Sequence, residues 1–152
     1  MDDERWMDMA LEEAEAALAR GDWPVGAVLV RDGAVIGIGS NRQVSGCDVT
    51  RHAETEAIRD AFTRLGTTDL SGSVMYGTME CCPMCAFALK LARVRRVVLG
   101  LRHADLKRTD LGAYSMESFA ALVGGGVELQ TGMRTAECLA VRRRWGQDQV
   151  RG

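Results

Sequence analysis

Two short segments dominate this sequence, His52-Ala53-Glu54 and Glu80-Cys81-Cys82-Pro83-Met84-Cys85, and each stands where an amphipathic helical pattern begins. Cys-x-x-Cys at a helix start puts two sulfurs on one turn, facing a common atom. Free backbone N–H groups and the helix dipole there favour thiolate over thiol. A histidine from a neighbouring helix completes three ligands and leaves a fourth tetrahedral position open, the donor set expected of a catalytic rather than a structural zinc. The expected ligands are His52, Cys82 and Cys85. Glu54 follows His52 by two positions, so one side chain can reach the metal while the other stands beside it.

The rest of the pattern tells what holds these segments. Residues 3–20 read as a first helix, with Trp6, Ala10, Ala14 and Ala17 at helical spacing and Gly21 just past the end. Val25–Val30 and Val35–Ile38 are apolar runs joined by Arg31-Asp32-Gly33, and Asp-Gly supplies the positive φ of a tight hairpin. Residues 40–51 are polar and irregular. From His52 onward Ala53, Ala57, Ile58, Ala61 and Phe62 mark a second helix. Ser73–Gly77 is a short strand, Cys82 to Ala92 a third helix with Pro83 in its first turn, and Val94–Gly100 a β-branched strand. Ser115 caps a fourth helix, Val127–Gln130 is a last strand, and 135–146 a last helix. The order αββαβαβαβα predicts an α/β fold, a three-layer α/β/α sandwich around a central five-stranded mixed sheet. After the opening hairpin, the crossovers should be right-handed and parallel.

With 152 residues, no repeat and no linker, residues 1–152 read as a single domain. No apolar run reaches the roughly 18 residues of a membrane span, and the acidic start Met1-Asp2-Asp3-Glu4-Arg5 lacks a signal-peptide core, so a cytoplasmic location is expected. Five cysteines, three of them within five positions, fit metal binding better than a disulfide framework. A net charge of −2 gives no electrostatic argument for nucleic acid, and Arg142-Arg143-Arg144 reads as a solvated helix face.

His-x-Glu followed by Pro-Cys-x-x-Cys is the signature of zinc deaminases. A chain so equipped would hydrolyse an exocyclic amine, with zinc making hydroxide available near neutral pH and Glu54 moving the protons. The sequence resembles the cytidine deaminase superfamily, in the branch with tRNA adenosine deaminases, bacterial guanine deaminases and fungal-type cytosine deaminases. The resemblance covers most of the chain and includes Asp22-Trp23-Pro24-Val25-Gly26-Ala27-Val28, Asp48-Val49-Thr50-Arg51-His52-Ala53-Glu54 and Thr78-Met79-Glu80-Cys81-Cys82-Pro83-Met84-Cys85. It implies a cytidine-deaminase-like fold, a base-binding role for Asn41, and a homodimer. It also implies that the Cys82 N–H and the carbonyls around Met79 and Glu80 face the reacting atoms. Cys81 departs from the family, which has proline there. It is a filler, an alternative thiolate for the metal, or a group that makes the site prone to oxidation.

The substrate expected on these grounds is a free nucleobase or aminated heterocycle such as cytosine, guanine, a triazine or a pterin, with a nucleoside second and tRNA adenosine third. The stretch Leu101–Ser115 lacks the Lys-x-Gly-Ala-x-Gly-Ser-like pattern of tRNA-editing members, and with the acidic balance it argues against nucleic acid. His103 and Tyr114, with Asp105 and Asp110, are candidates for the pocket mouth or an ordinary surface loop. Trp145 and Asp148 resemble the Trp-x-x-Asp near the end of fungal-type cytosine deaminases. Trp145 also fits a core anchor spaced from Cys138 and Val141, and Trp23 reads as packing rather than base stacking. A structural-zinc or redox module without catalysis is the alternative from another class. A structural site would need a fourth protein ligand, for which Cys81 is the nearby candidate.

Overall fold

The computed structural model describes residues 2–146. Helix α1 spans Asp3–Arg20 and buries Trp6, Met7, Ala10, Ala14 and Ala17 on one stripe, and Gly21 ends it at φ 87. Strands β1 (Gly26–Arg31) and β2 (Ala34–Ser40) form the hairpin. Asp32 at φ 52 and Gly33 at φ 72 give it two consecutive left-handed residues, whose twist matches that of the flanking strands. There follow α2 (Ala53–Leu65), β3 (Val74–Met79), α3 (Pro83–Leu91), β4 (Arg96–Leu101), α4 (Met116–Leu122), β5 (Glu128–Gln130) and α5 (Thr135–Arg144).

The five strands form one sheet in the order β2-β1-β3-β4-β5. β1 runs antiparallel to both neighbours, and β3, β4 and β5 are parallel. The mixed α/β sheet is therefore as expected, with the reversed strand one place in from the edge.

Alternation along the strands divides the core between the two faces. Ala27, Leu29, Met75, Val97 and Leu99 pack with Ala57 and Ile58 of α2, Leu89 of α3 and Phe119 of α4. Val28, Val30, Tyr76 and Val98 pack with Trp6, Met7 and Ala10 of α1 and with Cys138 of α5. Burying a side chain such as Leu29 contributes roughly 1.5–3 kcal/mol. No helix among the described residues is long and apolar enough to cross a membrane.

Two of the boundaries that differ from the sequence expectation affect the site. β2 continues to Ser40, although its apolar pattern stops at Ile38, because Gly26 and Ala27 still pair with Ser40 and Gly39. A Cβ on Gly39 would stand 2.3 Å from the Ala53 carbonyl oxygen. Glycine is needed at that crossing, which sets the start of α2 directly on the sheet. β3 runs to Met79 rather than ending at Gly77, since Met79 still pairs with Leu101. The stretch after β4 also contains a short 3-10 turn, His103–Leu106. The Asp105 carboxylate accepts from the Arg102 N–H at 2.8 Å and caps it.

Candidate active site

Two helices begin at the same place. His52 is the N-cap of α2 and Cys82 the N-cap of α3, both with extended backbone, and Pro83 occupies the first turn of α3. The two cap side chains, one from each helix start, meet each other. The Thr55 hydroxyl accepts from the His52 N–H at 3.0 Å and donates to the Thr50 carbonyl at 2.7 Å, which fixes the approach to α2.

The His52 Nδ1 lies 3.4 Å from Cys82 Sγ and 3.6 Å from Cys85 Sγ, and the two sulfurs are 3.5 Å apart. Bond lengths of about 2.3 Å to sulfur and about 2.0–2.1 Å to nitrogen space tetrahedral ligands by roughly 3.5–3.8 Å. The three donors are thus arranged to hold one metal ion, and they are the group of that kind found among the described residues. Three donors leave the fourth tetrahedral position open. Cys81 is not in the group. It is fully buried and packs in the core beneath α2 and α3.

Glu54 is 3% exposed beside this triangle. Burial, then the charge of Cys82, pushes its carboxyl up to about 6. The Cys85 thiol donates to Cys82, and this bond, with the His52 ring, pulls Cys82 well below the ordinary thiol range. The shared proton and burial push Cys85 the other way.

One pocket opens over these groups. It is lined by Trp23, Val25, Asn41, Gln43, His52, Ala53, Glu54, Met79, Glu80, Cys82, His103 and Arg108. Its volume is about 120 Å³. That is well under the ~300–1,000 Å³ of pockets that enclose a drug-sized molecule, so it suits one flat ring system.

Buried carboxylates anchor the two walls. On one side Asp22 accepts from the Val44 N–H at 3.0 Å, the Ser45 N–H at 2.8 Å, the Ser45 hydroxyl at 2.6 Å and Arg20 at 3.1 Å. This ties down the loop after Asn41. On the other side Glu80 accepts from Arg102 Nε at 2.9 Å and Nη2 at 3.2 Å, from the His103 N–H at 3.0 Å and from the Met116 N–H at 2.9 Å. That closes residues 102–116 into a loop over the pocket.

Among the expected substrate-binding residues, Asn41 and His103 line the pocket. Tyr114 stands behind: its ring lies 5.9 Å from that of His103, and its hydroxyl donates to the Cys81 carbonyl. Trp145 also stands behind, with its ring 5.7 Å from that of Trp23, which does reach the pocket. Asp148 lies outside the described residues. Gln43 and Arg108, to which the sequence assigns no role, and Trp23, expected to pack rather than stack on a base, all line the pocket. The Trp-Pro pair before β1 was the one available signal for Trp23.

Residues 1–101 match the cytidine and deoxycytidylate deaminase zinc-binding region. The chain belongs to this family. A tRNA-specific adenosine deaminase of Agrobacterium fabrum is 47% identical over 95 residues, 62% of each chain, so the match spans a little under two thirds of that relative. A structure solved in work on A-to-I editing at the wobble position of transfer RNA is 36% identical, with a TM-score of 0.79 over 90% of this chain and 98% of that one. A guanine deaminase from Nitrosomonas europaea is 28% identical, with a TM-score of 0.81 over 93% and 83% of the two chains. These relatives do not support the expectation against nucleic acid. A whole-chain charge does not describe the local surface around a pocket, and a segment such as Leu101–Ser115 can diverge while the site is kept.

Proposed function

We propose that this chain is a zinc-dependent hydrolytic deaminase acting on adenosine in transfer RNA, exchanging the exocyclic amine for a carbonyl oxygen and releasing ammonia. The observation that carries the reaction class is the His52, Cys82 and Cys85 triangle with buried Glu54 beside it, at the floor of a pocket sized for one ring system. The substrate assignment rests on similarity to tRNA-specific adenosine deaminases through the zinc-binding region and, in the solved relative, over most of the chain.

His52 Nδ1, Cys82 Sγ and Cys85 Sγ would hold the zinc, and the short N–S and S–S spacings fit it. A bound zinc supplies the Lewis acidity that makes hydroxide available near pH 7. Glu54 takes a proton from the attacking water and returns it to the leaving nitrogen. A carboxylate buried beside the metal-binding group can serve in both directions. Asn41 holds the base edge, and the Cys82 N–H, at a helix start, faces the developing oxyanion. The base enters the pocket while the rest of the nucleotide stays outside, which calls for an unpaired or flipped-out adenosine.

A second reading, a free purine or related base, is favoured by the likeness to guanine deaminase and by Trp23 backed by Trp145, which walls one side of the pocket. The test measures ammonia release and inosine formation by zinc-loaded protein on anticodon stem-loops, free bases and nucleosides. Inosine in the stem-loop supports the proposal. Turnover of a free base with silent RNA replaces it with the second reading. Glu54→Ala should lower kcat by about 10²–10⁴ with zinc still bound. Equal turnover by that variant would remove the mechanism.

A further inference from the structure

Asn41 is pinned by every polar group it has. Its N–H donates to the Val25 carbonyl at 3.1 Å, and its carbonyl accepts from Arg20 at 2.9 Å. Its side-chain Oδ1 accepts from the Gln43 N–H at 3.0 Å, and its Nδ2 donates to Gln43 Oε1 at 3.0 Å. The first of these side-chain bonds decides the orientation of both amides. A backbone N–H can only donate, so the Asn41 atom facing it is oxygen. Nδ2 then faces Gln43, whose contacting atom must be its oxygen.

This leaves the Gln43 side chain with a spare group. Gln43 lines the pocket, and its Nε2, with two N–H donors, has no partner among the described residues. Asn41 keeps one Nδ2 hydrogen and one Oδ1 lone pair for the pocket. The wall next to Trp23 therefore offers mainly donors.

We infer that Gln43 is a specificity-determining residue: its Oε1 holds the Nδ2 end of the Asn41 amide, whose orientation the Gln43 N–H sets, and its Nε2 donates to a hydrogen-bond acceptor on the substrate, a ring nitrogen or sugar oxygen at the pocket mouth. The inference rests on the deaminase reading of the same pocket. A site built to donate penalises a ligand with no acceptor there, because binding strips water from the N–H and leaves it unpaired.

Two variants separate the two roles. Gln43→Glu keeps an oxygen for Asn41 Nδ2 but turns the free donor into an acceptor. Gln43→Ala removes both. On the RNA stem-loop or free base that the wild type turns over, Gln43→Glu should raise KM about 10–100-fold. Its kcat should stay within about threefold, with one zinc per chain. Gln43→Ala should raise KM and also lower kcat, because the Asn41 amide is then held by the backbone N–H of residue 43 alone. The lock is read without substrate from the side-chain amide of Asn41 in ¹⁵N NMR spectra of the zinc-loaded protein. That signal should be protected from exchange in wild type and Gln43→Glu and lose protection in Gln43→Ala. An unchanged KM for Gln43→Glu, or protection unchanged in Gln43→Ala, overturns the inference. A wild type inactive on every substrate would overturn the deaminase reading instead, while the NMR arm still decides the lock.

Discussion

Cys81, Cys82 and Cys85 share one short segment, yet the fold gives them different environments. Cys82 caps α3 and Cys85 sits on its first turn, so both sulfurs face His52. Cys81 still belongs to the incoming chain. Its side chain turns into the core, where burial pushes the thiol pKa far up. It acts as a small apolar filler where the family has proline, and the alternative-thiolate reading has no geometry behind it. Cys81→Ala should keep one zinc per chain and wild-type turnover, at a cost of about 1 kcal/mol in stability. Cys82→Ala should lose the metal. Zinc content by atomic absorption after dialysis checks both, and metal loss from Cys81→Ala would return that sulfur to the ligand set. The triad was legible in the sequence because helix caps, Cys-x-x-Cys spacing and one histidine are local signals. Gln43 was not legible, because what makes it matter is the path of the 41–51 loop, pinned from outside by Asp22.

Element boundaries followed the apolar period where side chains pack and departed from it where only backbone pairs. Gly39 and Ser40 carry no apolar signal, yet they extend β2 and seat the start of α2 on the sheet. The segment after β4 was harder still, since one buried carboxylate from another element organises it. Glu80 is nearly saturated by donors from Arg102, His103 and Met116, and no pattern within residues 101–116 announces that. Glu80→Ala strands those donors and should destabilise the fold by about 3–5 kcal/mol, the cost of breaking a buried pair. Burial raises the Glu80 pKa, but the Arg102 hydrogen bonds and the two N–H donors outweigh it and hold the carboxyl below its ordinary 4.5. With the folded value depressed, the unfolded chain binds the proton more readily. The contribution is then fully present above pH 4.5 and is lost as pH falls through the lowered value. Glu80→Gln should be less stable than wild type at pH 7, and the gap should narrow towards pH 3. Chemical denaturation across that range measures it, and a gap independent of pH would show that Glu80 acts by shape alone.

At the scale of the whole molecule, one apolar stripe stays uncovered among the described residues. On α3, Met84, Phe87 and Leu91 fall at positions i, i+3 and i+7, one stripe of the helix. Leu91 is 70% exposed, and Leu122 on the neighbouring α4 is 85% exposed. The edge-to-face contact of Phe87 with Phe119 joins the two helices, so the stripe is held rigid. Apolar side chains grouped in this way on a helix face mark an interaction surface more often than chance exposure does. The resemblance to homodimeric deaminases makes a second copy of this chain the expected occupant. A stable contact would have to bury at least about 1,000 Å² in total. The opposite end of α3 carries Cys82 and Cys85, so pairing along this helix would brace the ligand segment from behind. Light scattering at micromolar concentration should give a dimer for the wild type. Leu91→Glu, which places an unpaired charge at the contact and disturbs nothing buried in the single chain, should give a monomer with zinc retained. A monomeric wild type would remove the pairing, and a dimeric Leu91→Glu would move it to another face.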